Sequence, residues 1–228
     1  MLTPAALAML ALFAAGFVLW RTARTEHRAA LRWRAGLLAE AHALFPQGRA
    51  GIGPDGFPRF AATLPDGTRL GLEVIADTLV TRRLPQLWLS LSLEAPASER
   101  AFSLGALARP TGSEFYALTH ALPDWHRPPS GLPLLVRGRG AGPTDEAQAT
   151  TTFATMFEDA TLKEAVATPR GLRIVRQAAQ GERAAHLLLR QSRFPLDAIP
   201  RATIERALSN AATLHAGLSA PILAAQAA

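Results

Sequence analysis

Cysteine is absent from the 228 residues. That removes disulfide frameworks, thiolate metal sites and a cysteine nucleophile, and it leaves the redox compartment undecided. Lysine is almost absent as well, since Lys163 is the single lysine among 24 basic residues. Charge is sparse, at 18% against 49% hydrophobic residues. The bias toward Arg, Ala and Leu reads as that of a GC-rich bacterial genome.

A sequence pI near 11.2 points toward nucleic acid until the charges are located. Arg21, Arg24, Arg28, Arg32 and Arg34 account for five of the basic residues within one short stretch. Beyond residue 34 the chain carries 19 basic and 17 acidic residues, a net of +2. A nucleic-acid binder needs a basic face with aromatic or polar readers among it. No such cluster lies downstream, and nucleic acid is not expected as a partner.

The sequence does hold an uncharged run from Leu2 to Trp20. Nineteen helical residues would span about 28 Å, close to the hydrocarbon thickness of a bilayer. Trp20 closes the run where an amphipathic ring favours the interface, and arginines begin at the next position. A cleaved signal peptide would carry its positive charge before the apolar stretch, whereas here it comes after. The expectation is a retained single-pass anchor over residues 1–20. Arg21, Arg24, Arg28, Arg32 and Arg34 act as topology determinants that place the N-terminus outside and the domain in the cytoplasm.

Residues 21–47 are expected to form a basic, amphipathic juxtamembrane helix, with Ala30, Trp33, Leu37, Ala41 and Leu44 on one stripe. Residues 48–228 are expected to form one domain. Its signals begin with a loop over 48–58 and a hairpin around Pro65-Asp66-Gly67. Gln86 to Leu93 is the clearest strand, with four leucines on one face and Trp88, Ser90 and Ser92 on the other. Further strands are expected near 102–108, 132–137 and 172–177, with the last pairing across Gly181 with a strand over 183–191. Helices are expected over 112–122, 150–168 and 200–218, the last ten residues fraying. Strands in adjacent pairs indicate an α+β class with a largely antiparallel sheet and helices on one side.

The densest polar group is Glu114, His120, Asp124 and His126. Two histidines and a carboxylate are the donor types that zinc or iron takes. Their spacing fits no metal motif, so the group reads first as a loop cap. Other candidates are weaker. Arg82 and Arg83 come after a strand, where one could pair with Asp77 or Glu73. Ser113 and Ser192 lack the surroundings of a nucleophile, and the glycines from Gly138 to Gly142 lack phosphate-loop spacing. Trp88 is a possible partner contact if nothing covers it.

No cofactor or metal is expected. These signals together indicate a membrane-tethered, non-catalytic accessory, adaptor or assembly subunit at a bacterial inner membrane, docking on another membrane or membrane-proximal protein. The alternative is a membrane-anchored metal-dependent hydrolase using His120, Asp124 and His126.

Overall fold

The computed structural model describes residues 3–78, 83–94, 100–189 and 192–219, without the side chains of residues 5–8, 11, 188 and 189. Leu2, Arg82 and the Ala-rich end therefore lie outside the described residues. The chain opens with helix α1 (Pro4–Gly36), 33 residues long. From Met9 to Trp20 its described large apolar side chains are exposed. Among the described residues no helix is long and apolar enough to cross a membrane, so the anchor expected over Leu2 to Trp20 is not shown by the fold.

The remainder is α+β, built on nine antiparallel strands in the order β1-β2-β3-β4-β9-β8-β5-β7-β6. These are β1 (Arg49–Ile52), β2 (Pro58–Thr63), β3 (Arg69–Asp77), β4 (Gln86–Glu94), β5 (Ser103–Ala108), β6 (Asp124–His126), β7 (Leu134–Arg139), β8 (Leu162–Thr168) and β9 (Gly171–Gln180). The helices are α2 (Ala39–Leu44), α3 (Pro143–Met156), α4 (Arg183–Leu189) and α5 (Arg201–Ser219). The period-two pattern decides which face each strand buries. Leu70, Leu72 and Val74 of β3 line up with Leu87, Leu89 and Leu91 of β4, Ile174 of β9 and Ala165 of β8. This face packs under α3 and α5, through Phe153, Met156, Ile204, Ala211 and Leu214. Both sheet edges are short strands of four and three residues, which limits edge-to-edge pairing with other chains.

Several expected elements change. The helix expected over 21–47 is interrupted, because α1 ends at Gly36 and Leu37 and Leu38 turn into the core at 0% and 2% exposure. The loop expected over 48–58 contains β1, an edge strand exposed at every position and so without alternation. The helix expected over 150–168 stops at Met156. Asp159 then accepts hydrogen bonds from the Thr161 N–H and hydroxyl, and this turn launches β8. β9 pairs with β8 and β4, not with a strand at 183–191, and residues 183–189 form α4. The β8–β9 turn has a stereochemical requirement. Gly171 sits at φ +152, and a Cβ there would collide with the Leu93 carbonyl oxygen.

Trp33 and Leu37 bind the end of α1 to the domain. The Trp33 indole donates to the Leu196 carbonyl at 2.7 Å and stacks on Phe194, while the Ile199 N–H donates to the Leu37 carbonyl at 2.9 Å. Leu37→Ala should therefore cost about 2–5 kcal/mol, the range for a fully buried leucine, read as a lower midpoint in denaturant unfolding. An unchanged midpoint would show that residues 37–44 do not belong to the core.

Candidate functional site

The second face of the sheet mixes polar with apolar residues, and half of it is covered. The covering segment runs from Arg109 to Leu122, where the sequence predicts a helix over 112–122. It contains only a 3-10 turn, Leu118–Ala121. Phe115 is 74% exposed and Leu118 45%, while Glu114 and Tyr116 point inward. The cause is electrostatic. The Glu114 carboxylate accepts from the N–H groups of Thr111 and Gly112 and from Lys163 Nζ at 2.9 Å. Having turned residue 114 inward, the chain carries Phe115 out.

Lys163 and Glu164 hold this segment from the sheet below. A register shift between Leu162 and Glu164 marks a bulge in β8, and the extra residue lets both side chains reach the segment. Lys163 Nζ also donates to the carbonyls of Ala108 and Arg109, at 2.7 and 3.1 Å. Glu164 is fully buried and accepts from the Thr119 N–H and hydroxyl, both at 2.8 Å, and from Arg173. Arg173 completes the clamp by donating to the Tyr116 carbonyl at 2.9 Å and to the Ser90 hydroxyl at 3.0 Å. Beneath the segment, Tyr116 lies over Trp88 with ring centroids 6.0 Å apart, and Ile75 and Val175 complete the cluster. Trp88 is 4% exposed and is a core residue, so it offers no docking surface. The exposed tryptophan of the domain is Trp125, at 72%, with Arg137 over its ring at 4.6 Å.

The titration behaviour derives from these contacts. Burial raises the Glu114 carboxyl's pKa. The hydrogen bonds from Lys163 and Thr111 and the lysine charge outweigh burial and hold it at about 2. Glu164 goes the other way, because complete burial raises it against the opposing pull of Arg173 and Thr119. Burial lowers Lys163 although Glu114 opposes the shift.

The three residues of the alternative metal reading separate. His120 lies on the second face, its Nε2 3.5 Å from Glu114 Oε2. His126 lies opposite Val136 on the helix face, and its Nδ1 is 2.8 Å from Glu146 Oε1 of α3. Asp124, two residues earlier in β6, is exposed. The chain passes from the 3-10 turn into β6 between them, and the two imidazoles end on opposite sides of the sheet. Among the described residues no group of three His, Cys, Asp or Glu side chains is placed to hold a metal ion.

Of the remaining candidates, Arg83 pairs with Asp77 at 2.6 Å, and Glu73 pairs with Arg59. His215 is exposed on α5. Asp159, in the turn after α3, pairs with the buried Arg176 at 3.1 Å. Asp145 stands in the first turn of α3, accepting from the Gly142 N–H at 2.8 Å.

Beside the covered half, the second face opens into a cleft of about 510 Å³. Its floor is small, with Ala61, Gly71, Ser90 and Ser92, and its charged walls are Arg49, Arg59, Glu73 and Arg173. Arg59 and Arg173 already hold carboxylates. Among the described residues no serine or threonine hydroxyl is hydrogen-bonded to an imidazole. The arrangement supplies a polar surface on which two of the three arginines are already paired.

No protein-family model matches the chain, and no curated protein does. Among solved structures, it is similar to the crystal structure of the mycobacterial trehalose monomycolate transport factor A, TtfA, at 10% identity and a TM-score of 0.42. The match covers 83% of this chain and 94% of that one. A likeness at that level carries no argument about what this chain does.

Two outcomes are expected of the buried network. Lys163→Met alone should cost about 3–5 kcal/mol, because it strands a buried carboxylate. Lys163→Met combined with Glu114→Gln should cost less than the two single changes together, and strict additivity in urea unfolding would show that the pair is not coupled. The second outcome concerns pH. A carboxyl whose folded pKa lies below its unfolded value contributes stability above the unfolded pKa and loses it as pH falls. For Glu114 that window runs from 4.5 down to about 2. Glu164 acts with the opposite sign, so the test is the difference between the wild type and Glu114→Gln. The gap between their unfolding midpoints should narrow across the window, and a constant gap would remove Glu114 as its source.

Proposed function

We propose that this chain is a membrane-tethered, non-catalytic accessory or assembly module of a bacterial inner membrane, its domain cytoplasmic and docked on another membrane or membrane-proximal protein. One observation carries the reading. Met9, Leu10, Leu12, Phe13, Phe17, Val18, Leu19 and Trp20 are between 54% and 73% exposed. Eight large apolar side chains on one helix, away from any core, form a contiguous patch of the kind that marks a membrane or protein contact. A bilayer suits it on three counts. The uncharged run matches the hydrocarbon thickness, Trp20 stands where the interface would be, and arginine comes at the next position. The near-neutral charge beyond residue 34 favours a protein partner over a nucleic acid. Trp125 is an exposed aromatic of the type enriched at interface hot spots.

The test is fractionation together with a topology reporter. The full chain should remain in the membrane pellet through alkaline carbonate, and a form lacking residues 1–20 should leave it. A reporter active only in the periplasm, fused after Ala228, should be silent. Release of the full chain by carbonate would remove the tether, and strong periplasmic activity would reverse the orientation.

A further inference from the structure

Helix α1 continues without a break from its apolar half through Gly36, and that continuity fixes where its arginines point. At 100° per residue, the 3-4-4 spacing of Arg21, Arg24, Arg28 and Arg32 places all four within an arc of about 80°. All four are exposed, and none makes an ion pair among the described residues. Glu26, the one acidic residue of α1, falls on the other side of the helix. Trp33 and Arg34, which join α1 to the domain through Phe194 and Phe57, also face away from the stripe.

We infer that this arginine stripe is a docking surface for the anionic headgroups of the bilayer that holds α1, and that the contact tilts the helix with the domain carried on its far side. The inference rests on the tether proposed above. Retaining arginines on one side requires only that they lie close after the span, and Arg21 and Arg24 suffice for that. Alignment on one face over twelve residues is a further property. On an upright helix, Arg28 and Arg32 would stand about 12 and 18 Å beyond Trp20, outside a headgroup layer roughly 5–8 Å deep. Tilt toward the stripe, within the range of about 0–40° that spanning helices show, lowers Arg28 to the headgroups. It also brings Arg32 toward them, where attraction acts over a Debye length of about 8 Å. The domain does not obstruct the tilt because it joins the opposite face. The occupant is the anionic surface because the stripe continues from the apolar half and is purely cationic.

The absence of cysteine makes a single labelling site available. Ala35 is exposed and lies on the azimuth of the stripe, three residues past Arg32. The full-length Ala35→Cys chain, carrying a donor fluorophore, is reconstituted into phosphatidylcholine vesicles with or without phosphatidylglycerol and an acceptor on the headgroups. Energy transfer should rise with phosphatidylglycerol, and the rise should be lost in high salt and in Arg28→Gln/Arg32→Gln. That variant keeps Arg21 and Arg24 and should melt at the wild-type temperature. Chain that floats with the vesicles but shows no lipid-dependent rise overturns the inference and leaves the tether standing. A rise that survives in the double variant also overturns it. Chain that floats with neither lipid overturns the tether, and the inference with it.

Discussion

The pairing of β4 with β9 holds the sheet together. The strands are separated by more than seventy residues, yet their register runs from Gln86↔Gln180 to Glu94↔Gly171. On one side of this seam lie β1, β2 and β3, a meander that closes through short turns. On the other lie β8, β5, β7 and β6, which also pair among themselves. Without the seam, each half would leave an open edge and a leucine face with no common roof. α5 covers the seam, packing on β9, β4 and β8. Loop closure over such a separation costs entropy before any contact repays it. The meander and the β8–β9 hairpin are local and can form early, whereas the β4–β9 seam and the β5–β8 pair join strands far apart in sequence and complete the fold.

The same strand pair supplies the polar part of the second face. Ser90 and Arg173 belong to the seam, and Arg173 reaches both Glu164 and the Tyr116 carbonyl. A wholly apolar second face would have needed a second layer of helices. The chain instead lays one irregular segment over it and fixes that segment by charge. Buried ion pairs give little net stability, because desolvation consumes much of the attraction. Their geometric demand is high, however. Lys163 must find two carbonyls and one carboxylate, and Glu164 must find Thr119 and Arg173. We read the network as the device that selects one path for residues 109–122 among several that would cover Trp88 equally well.

Legibility in the sequence depends on periodicity. β4 is readable from its leucines, the β2–β3 hairpin from Pro65-Asp66-Gly67, and α5 from its stripe, because one face of each is apolar and the other is not. β1 and β6 are not readable, since edge strands exposed along most of their length have no alternation to show. β8 reads as helix because the run from Leu162 to Ala167 is buried at every position. A strand covered on both faces has no period, and the bulge at Lys163 hides the remainder of it. The site residues suffer a related fate. His120, Asp124 and His126 are close in sequence, but the short passage from the 3-10 turn into β6 sends the imidazoles to opposite faces. Lys163, Glu164 and Arg173 come together only through the β8–β9 hairpin. One signal is available: the chain's single lysine, beside a glutamate, inside an apolar run. Charges in such a place must be paired or coordinated.

The junction between α1 and the domain determines what any attachment of that helix does to the rest. A flexible linker would let the domain sample all orientations about its anchor. Here the helix enters the core directly. Trp33 stacks on Phe194 and donates to Leu196, the Leu37 carbonyl accepts from Ile199, and Leu37 and Leu38 are buried among the core residues. Arg34 lies over the Phe57 ring at 4.7 Å, tying the helix to the approach to β2 as well. These contacts come from residues 57 and 194–199, distant in sequence, and they grip the last turns of the helix from two sides. A rotation of α1 about its own axis would have to break a buried hydrogen bond and unstack an aromatic pair. The domain therefore moves with the helix as a lever arm, and the direction in which Trp125 and the open cleft face is set by the direction in which α1 is held.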